Sequence, residues 1–389
     1  MKQNRRGFLK NAFVAGTVTS IAPAVLAKPQ YSQQTGSPIN NVDSEWRNKQ
    51  EGMHYRMLGR TGFMVSEIVM GAIGKKSLPY VREALDMGLN YFDTATRYAA
   101  GRCEEAIGLL NADGLRERYF IATKISEYLL TLDEYCLDAL NSMPTAQQER
   151  IRKRAKEHMH NRGVMKYGYY FKYFTSQDEE LPSGYLTHAV LKEKGYSKEW
   201  KLAISNKLQE SLDSSLKRLK TGYIDILHCP HGARLPEELD DEIIHEFMVK
   251  NIKAGKVRKT GISIHSDVPQ VLEKAVDTGK YDMAMVAYNI INQGSMEMAI
   301  RKAAENNVGI VAMKAARCIN RTFDKEKVQK WRLDKLNQAI PGRMKPELKA
   351  YMWVLQNPNV ASVVSAMNNS KMVKENLELA GKKINLDRV

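Results

Sequence analysis

From residue 54 onward, short apolar runs alternate with longer stretches whose apolar positions recur every three or four residues. The first pattern predicts strands buried on both faces, and the second predicts helices laid against them. YRMLGRTGFMVSE reads as a hairpin turning at Gly59–Gly62. Strands are then predicted at 67–71, 91–95, 120–125, 225–229, 259–264, 283–289, 309–314 and 362–367. Helical patterns fall between them, for example at Val81–Met87, Cys103–Asn111, Ser205–Leu219, Leu239–Ala254, Val268–Thr278, Met296–Asn306 and Ser370–Ala380. Strands each followed by a helix predict the α/β class, here a closed (β/α)8 TIM barrel preceded by an N-terminal β-hairpin. An open nucleotide-binding sheet would carry a glycine-rich turn after its first strand. GAIGKKS stands there instead, two residues short of phosphate-loop spacing.

Two stretches break the period. Residues 126–204, after the third barrel strand, exceed an ordinary βα loop by roughly 70 residues. A smaller excess spans 315–345. Both follow strand C-termini, where barrel active sites are built, so the 126–204 insertion is expected to be a lid or specificity element. It holds a charged helical stretch, TAQQERIRKRAKEHMH (145–160), and an aromatic run, KYGYYFKYF (166–174). The run suits an apolar lid face first, a platform for a sugar or aromatic substrate second, and stacked bases last.

The chain ahead of the barrel reads differently. Residues 1–27 have a basic start, an apolar middle and small residues before a cleavage point, with Val25 and Ala27 at −3 and −1. This is signal-peptide logic. NRRGFLK, residues 4–10, resembles a twin-arginine export signal, with Asn4 where Ser or Thr is commoner. The resemblance implies a folded cargo handed to the twin-arginine export machinery and a periplasmic destination. Residues 28–52 are polar and are expected to be a flexible linker, leaving 53–389 for the barrel.

Composition changes this picture little. With 43% hydrophobic residues in 389, the chain can bury a large core. No window after residue 27 is apolar for the ~18 residues that a membrane-spanning helix needs. The net charge is +15, of which Lys2, Arg5, Arg6 and Lys10 belong to the leader. Most remaining cations alternate with acids along helical stretches, which favours solvated faces over a nucleic-acid surface. Cys103, Cys136, Cys229 and Cys318 are widely spaced and form neither a zinc knuckle nor a dense disulfide framework. His228-Cys229-Pro230-His231 invites a metal reading, but neighbours on a strand point to opposite faces, so no metal is expected there.

The chemistry-bearing residues lie at predicted strand ends. Asp93 interrupts YFDTA, Tyr98 follows five residues later, Lys124 ends IATK, and His228 ends DILH. A Lys paired with a buried Asp and set beside a Tyr is expected to lower the phenol below its usual ~10. Such a tyrosine serves as general acid toward a carbonyl oxygen, and as base in reverse, while a histidine orients the oxygen. No metal is required when a hydride comes from a nicotinamide.

These residues, in GLNYFDTATRYAAGRCEEAIGLL (88–110), FIATKI, SLKRLKTGYIDILH, KTGISIH, AYN, VGIVAMK and KENLELA, resemble the aldo-keto reductases over about 54–380. The resemblance implies an oxidoreductase acting on a small carbonyl or alcohol with NAD or NADP, and maps a catalytic tetrad onto Asp93, Tyr98, Lys124 and His228. It directs Gly71, Ser263, Lys314, Ala366, Met367, Lys371, Glu375 and Asn376 toward the dinucleotide. Departures mark a divergent branch. Ile264 stands where the family has an amide, Met285 where it has a glutamine, and Asn368 where an arginine holds a 2′-phosphate. The missing arginine favours NAD, because only the extra phosphate demands that cation, and Lys371 offers a charge nearby. These departures also leave a second reading open, a cofactor-holding sensor without turnover. An exported hydride enzyme is expected to carry its cofactor tightly bound from before export.

Overall fold

In a computed structural model, which describes residues 43–320 and 328–386, eight parallel strands close into a barrel. In chain order the strands are β1 (Glu45–Trp46), β2 (Tyr55–Met57), β3 (Phe63–Ser66), β4 (Ile68–Gly71), β5 (Tyr91–Asp93) and β6 (Phe120–Lys124). Then follow β7 (Ile224–Ala233), β8 (Val257–Ile264), β9 (Met283–Ala287), β10 (Gly309–Met313) and β11 (Ser362–Ser365). The barrel runs β4 through β11 in sequence order and closes by pairing β11 with β4. Strands β2 and β3 form the expected antiparallel hairpin.

Two apolar clusters explain why the strands read as near-continuous hydrophobic runs. Val69, Tyr91, Phe120, Ala122, Ile226, Met283, Met285, Val311 and Met313 fill the barrel interior, and Leu58, Phe63 and Val65 of the hairpin region close its lower end. Phe63 stacks on Phe120 with ring centroids 4.5 Å apart. The alternate residues, such as Ile68, Phe92, Ile121, Leu227 and Ile262, face the surrounding helices. The side-chain period of two then dictates what reaches the upper mouth. Continuing inward from Tyr91, Ala122 and Ile226 gives Asp93, Lys124 and His228.

The flexible-linker expectation for 28–52 fails over its described part. Glu45–Trp46 pairs with β3 in parallel. Arg47 is buried, donating to the Tyr119 carbonyl at 2.8 Å, and its own carbonyl accepts from Asn90 Nδ2 at 2.8 Å. Asn48 Nδ2 donates to the Leu89 carbonyl at 3.0 Å. These polar side chains satisfy buried main-chain groups, which local composition cannot reveal. The leader expectations for 1–27 lie outside the described residues. The four cysteines are free and buried.

The 126–204 insertion is helical: Glu127–Asn141, Thr145–Arg162, Gln177–Lys194 and the start of Lys198–Leu219. Buried Arg234, just past β7, binds Asp133 at 2.6 Å and Glu238 at 2.7 Å, and Asp133 also accepts from Ser183 and Thr187. This network ties two insertion helices to the barrel rim. Among the described residues, no helix is long and apolar enough to cross a membrane.

Candidate active site

Register places the key side chains side by side. Asp93 is level with Gly71 on one side and Ala122 on the other, and Lys124 is level with His228. Lys124 Nζ sits 2.5 Å from Asp93 Oδ1 and 2.8 Å from the Thr94 carbonyl, with the two side chains 1% and 4% exposed. Tyr98 stands half-buried at the rim, its ring centre 4.9 Å from the Lys124 ammonium. Directly after it, Ala99 and Ala100 hold left-handed φ values of 49° and 55°. Each costs an L-residue about 1–2 kcal/mol, a strain that collects at functional sites.

Electrostatics corrects one expectation. The Tyr98 phenol lies above its ordinary value, because burial outweighs the lowering by Lys124. Burial likewise raises the Asp93 carboxyl against the pull of Lys124. For Lys124, burial acts to lower the value, but Asp93 and Tyr98 outweigh it and hold the ammonium above its usual range. Lys124 is therefore a fixed cation beside a phenol that burial makes a weaker acid.

His228 is buried, and burial followed by the charge of Lys124 pushes it down to about 3. It is a neutral imidazole, and neither ring nitrogen has a partner within hydrogen-bond geometry. Glycine at 261 makes room for it, since a Cβ there would sit 2.8 Å from His228 Nδ1. Two further histidines close in. His231 Nδ1 lies 2.6 Å from Ser126 Oγ, with its ring centre 6.3 Å from that of Tyr98 and 6.0 Å from that of His265. Burial holds both His231 and His265 well below the usual histidine value. Phe174 of the insertion packs edge-on against His265 at 5.3 Å, and the Lys314 ammonium lies 5.6 Å from the Phe174 ring centre. Lys314 adopts φ 62°, and burial with the nearby charges of Arg317 and Lys124 brings it down to about 8.

The sequence profile of the Aldo/keto reductase family matches residues 74–201 and 177–388, most of the chain. The chain belongs to the aldo/keto reductase family. It is 23% identical over 352 residues to the uncharacterized oxidoreductase YqkF of Bacillus subtilis, covering 84% of this chain and 91% of that one. With the aldo-keto reductase YhdN of the same organism it shares 24% over 270 residues, covering 66% and 60%. Among solved structures it resembles the holo form of the aldo-keto reductase AKR11C1 from Bacillus halodurans, at TM-score 0.56 and 20% identity, covering 85% and 92%. It also resembles an aldo-keto reductase from Klebsiella pneumoniae in complex with NADPH, at TM-score 0.54 and 17% identity, covering 86% and 91%.

Within this aldo/keto reductase the residues assigned from sequence fall into two groups. Asp93, Tyr98, Lys124 and His228 converge at the upper mouth with Ser263 and Lys314, and Gly71 is level with Asp93. Ser263 is level with inward-facing Met285, and its buried hydroxyl has no partner. Ala366 and Met367 instead follow β11 directly, and Lys371, Glu375 and Asn376 lie on the helix Ser370–Leu377 beyond it. Ala366 is exposed, whereas the Met367 side chain is buried in the outer core, leaving only main-chain groups to face a ligand. Asn376 is turned inward, donating to Ser365 Oγ at 2.6 Å, while Glu375 meets Lys345 at 2.6 Å and exposed Lys371 at 4.0 Å. Glu375 and Asn376, which the resemblance directs toward the dinucleotide, are thus both engaged by neighbours.

Ile264 stands where the resemblance places an amide. It belongs to the outer core, one residue past inward-facing Ser263, so its side chain points away from the mouth. His231, His265 and Phe174 were not singled out from sequence as site residues, although the paired His in HCPH and the His closing GISIH are visible there.

Proposed function

We propose that this aldo/keto reductase transfers a hydride between a bound NAD or NADP and a small carbonyl or alcohol, with Tyr98 as the acid and base. The observation that carries the reading is Lys124, buried between Asp93 and Tyr98 beside an unpartnered, neutral His228. A dinucleotide fits the residues present, because the buried Ser263 hydroxyl lacks a partner and suits a carboxamide. The NADPH-bound neighbour supports the same cofactor class. When bound, the dinucleotide supplies the hydride.

The chain's own residues do the rest. Tyr98 donates its proton to the substrate oxygen, and the Lys124 cation stabilises the phenolate left behind. Because burial raises the phenol, that cation decides whether the proton leaves at useful cost. Asp93 holds Lys124 in place and balances its charge. Neutral His228 offers an N–H to the same oxygen and so fixes which way the carbonyl points. Phe174 and His265 wall the mouth and exclude water.

Titration of the purified chain with NADH and NADPH tests the cofactor, and steady-state reduction of a carbonyl panel by Tyr98→Phe tests the acid. Saturable binding with a loss of about 10²–10⁴-fold in turnover supports the proposal. Unchanged turnover sinks it. Binding without any hydride transfer favours the sensor reading instead. We also propose export by the twin-arginine route with the cofactor held through the crossing and recycled on the enzyme. Rapid exchange of bound with free dinucleotide would contradict that retention.

A further inference from the structure

Away from the barrel mouth, the insertion packs two helices, Thr145–Arg162 and Gln177–Lys194, near the short 3-10 turn Pro236–Asp240 that follows β7. Each contributes one ligand-type side chain to the same spot: His158, His188 and Glu237. One donor atom from each lies within 4.8 Å of the other two. They border a cavity of about 720 Å³ that opens to solvent.

Glu237 is the informative member. The other carboxylates lining this cavity are all engaged: Glu238 by Arg234 at 2.7 Å, Asp240 by Lys274 at 2.5 Å, and Asp241 by the hydroxyls of Tyr128 and Tyr196. Glu237 has only a 3.3 Å approach to His158 Nε2 and a 3.8 Å approach to Arg162, whose other nitrogen binds Asp267 at 2.5 Å. Its Oε2 is buried with no partner. A buried carboxylate oxygen without a partner is costly, and both the Arg162 cation at 3.8 Å and His158 at 3.3 Å reach only the other oxygen.

The spacing fits a metal. Zinc bonds of ~2.0–2.1 Å in tetrahedral geometry hold neighbouring ligand atoms about 3.3–3.4 Å apart. The His158–Glu237 pair already stands at 3.3 Å. His188 supplies the third donor atom within 4.8 Å of the other two, its ring centre 5.6 Å from that of His158.

We propose that His158, His188 and Glu237 form a binding site for a divalent transition metal of the zinc class, its fourth position open to the cavity. Two imidazoles and one carboxylate suit zinc, copper or nickel rather than calcium or magnesium. The ion clasps both long insertion helices to the segment that follows β7. This inference stands apart from the reductase reading, since none of the three residues borders the tetrad.

The test uses the full chain, stripped with a chelator and titrated with Zn²⁺ by calorimetry, and with Co²⁺ followed by visible absorption. The expected result is saturable binding of one ion that raises the melting temperature. His158→Ala/His188→Ala should lose that binding, and Glu237→Gln, which keeps the side chain's volume, should weaken it by about 10–100-fold. Circular dichroism checks that each variant is folded. No saturable binding by the parent chain overturns the proposal. Undiminished binding by the folded double variant also overturns it, placing the ion on His228, His231 and His265 or on a cysteine instead.

Discussion

Lys124→Met removes one half of a buried ion pair and leaves the other behind. Lys124 and Asp93 are 2.5 Å apart and almost wholly enclosed, so the variant strands a carboxylate without its counter-charge. Breaking such a pair from one side costs about 3–5 kcal/mol, whereas removing both charges is far milder. With an unfolding entropy of about 2.1 cal/mol/K per residue over the roughly 340 described residues, that loss lowers the melting temperature by ~4–7 °C.

The sign with pH follows from Asp93. Burial already sets its folded value above the ordinary carboxylate range, and losing Lys124 raises it further. A carboxyl that binds protons more tightly when folded loses stability as pH climbs from its unfolded value to its folded one. The deficit of Lys124→Met should be small near pH 4 and larger at neutral pH. Lys124→Met/Asp93→Asn should recover most of the stability but none of the activity, the Thr94 carbonyl and the introduced side-chain amide losing the Lys124 partner as a residual cost. Chemical denaturation at pH 4.5 and 7.5 checks this. Equal stability of the single and double variants at neutral pH would refute the reasoning.

Three further outcomes are expected. Gly261→Ala places a Cβ 2.8 Å from His228 Nδ1 and should displace the ring, reducing kcat/KM by about 10–100-fold without unfolding the barrel, as paired kinetics and circular dichroism will show. Lys314, brought down to about 8 by burial, binds a proton more weakly folded than unfolded, so the parent chain should gain stability between pH 8 and 10. Lys314→Met should lose that slope and melt higher at pH 7 in calorimetry. Arg5→Lys/Arg6→Lys should leave the enzyme in the cytoplasm when export of the full chain is followed by cell fractionation.

The barrel was legible because its strands have both faces buried and its helices have one. That contrast shows in the period of the apolar residues, and it carried Asp93, Lys124 and His228 to strand ends. The period also held a fact that resemblance obscured: if Ser263 faces inward, Ile264 faces outward. His231 was weighed from sequence only as a metal ligand, for a different reason. Three residues past His228, simple alternation sends it to the opposite face, but a register shift between the two in the β7–β8 pairing brings it to the mouth. Phe174 reaches His265 through the fold of the insertion, a contact spanning some ninety residues that no local pattern encodes. The Tyr98 phenol shows the same divide, since its neighbouring charges are written in the sequence and its burial is not.

The most direct test of the central claim is stopped-flow hydride transfer in a single turnover. The parent chain and Tyr98→Phe are each pre-loaded with NADH or NADPH and mixed with a carbonyl substrate. The account predicts rapid loss of nicotinamide absorbance in the parent and a rate slower by about 10²–10⁴-fold in the variant, with cofactor binding unchanged. Equal rates in both proteins, or no transfer by the parent with either cofactor, would contradict it.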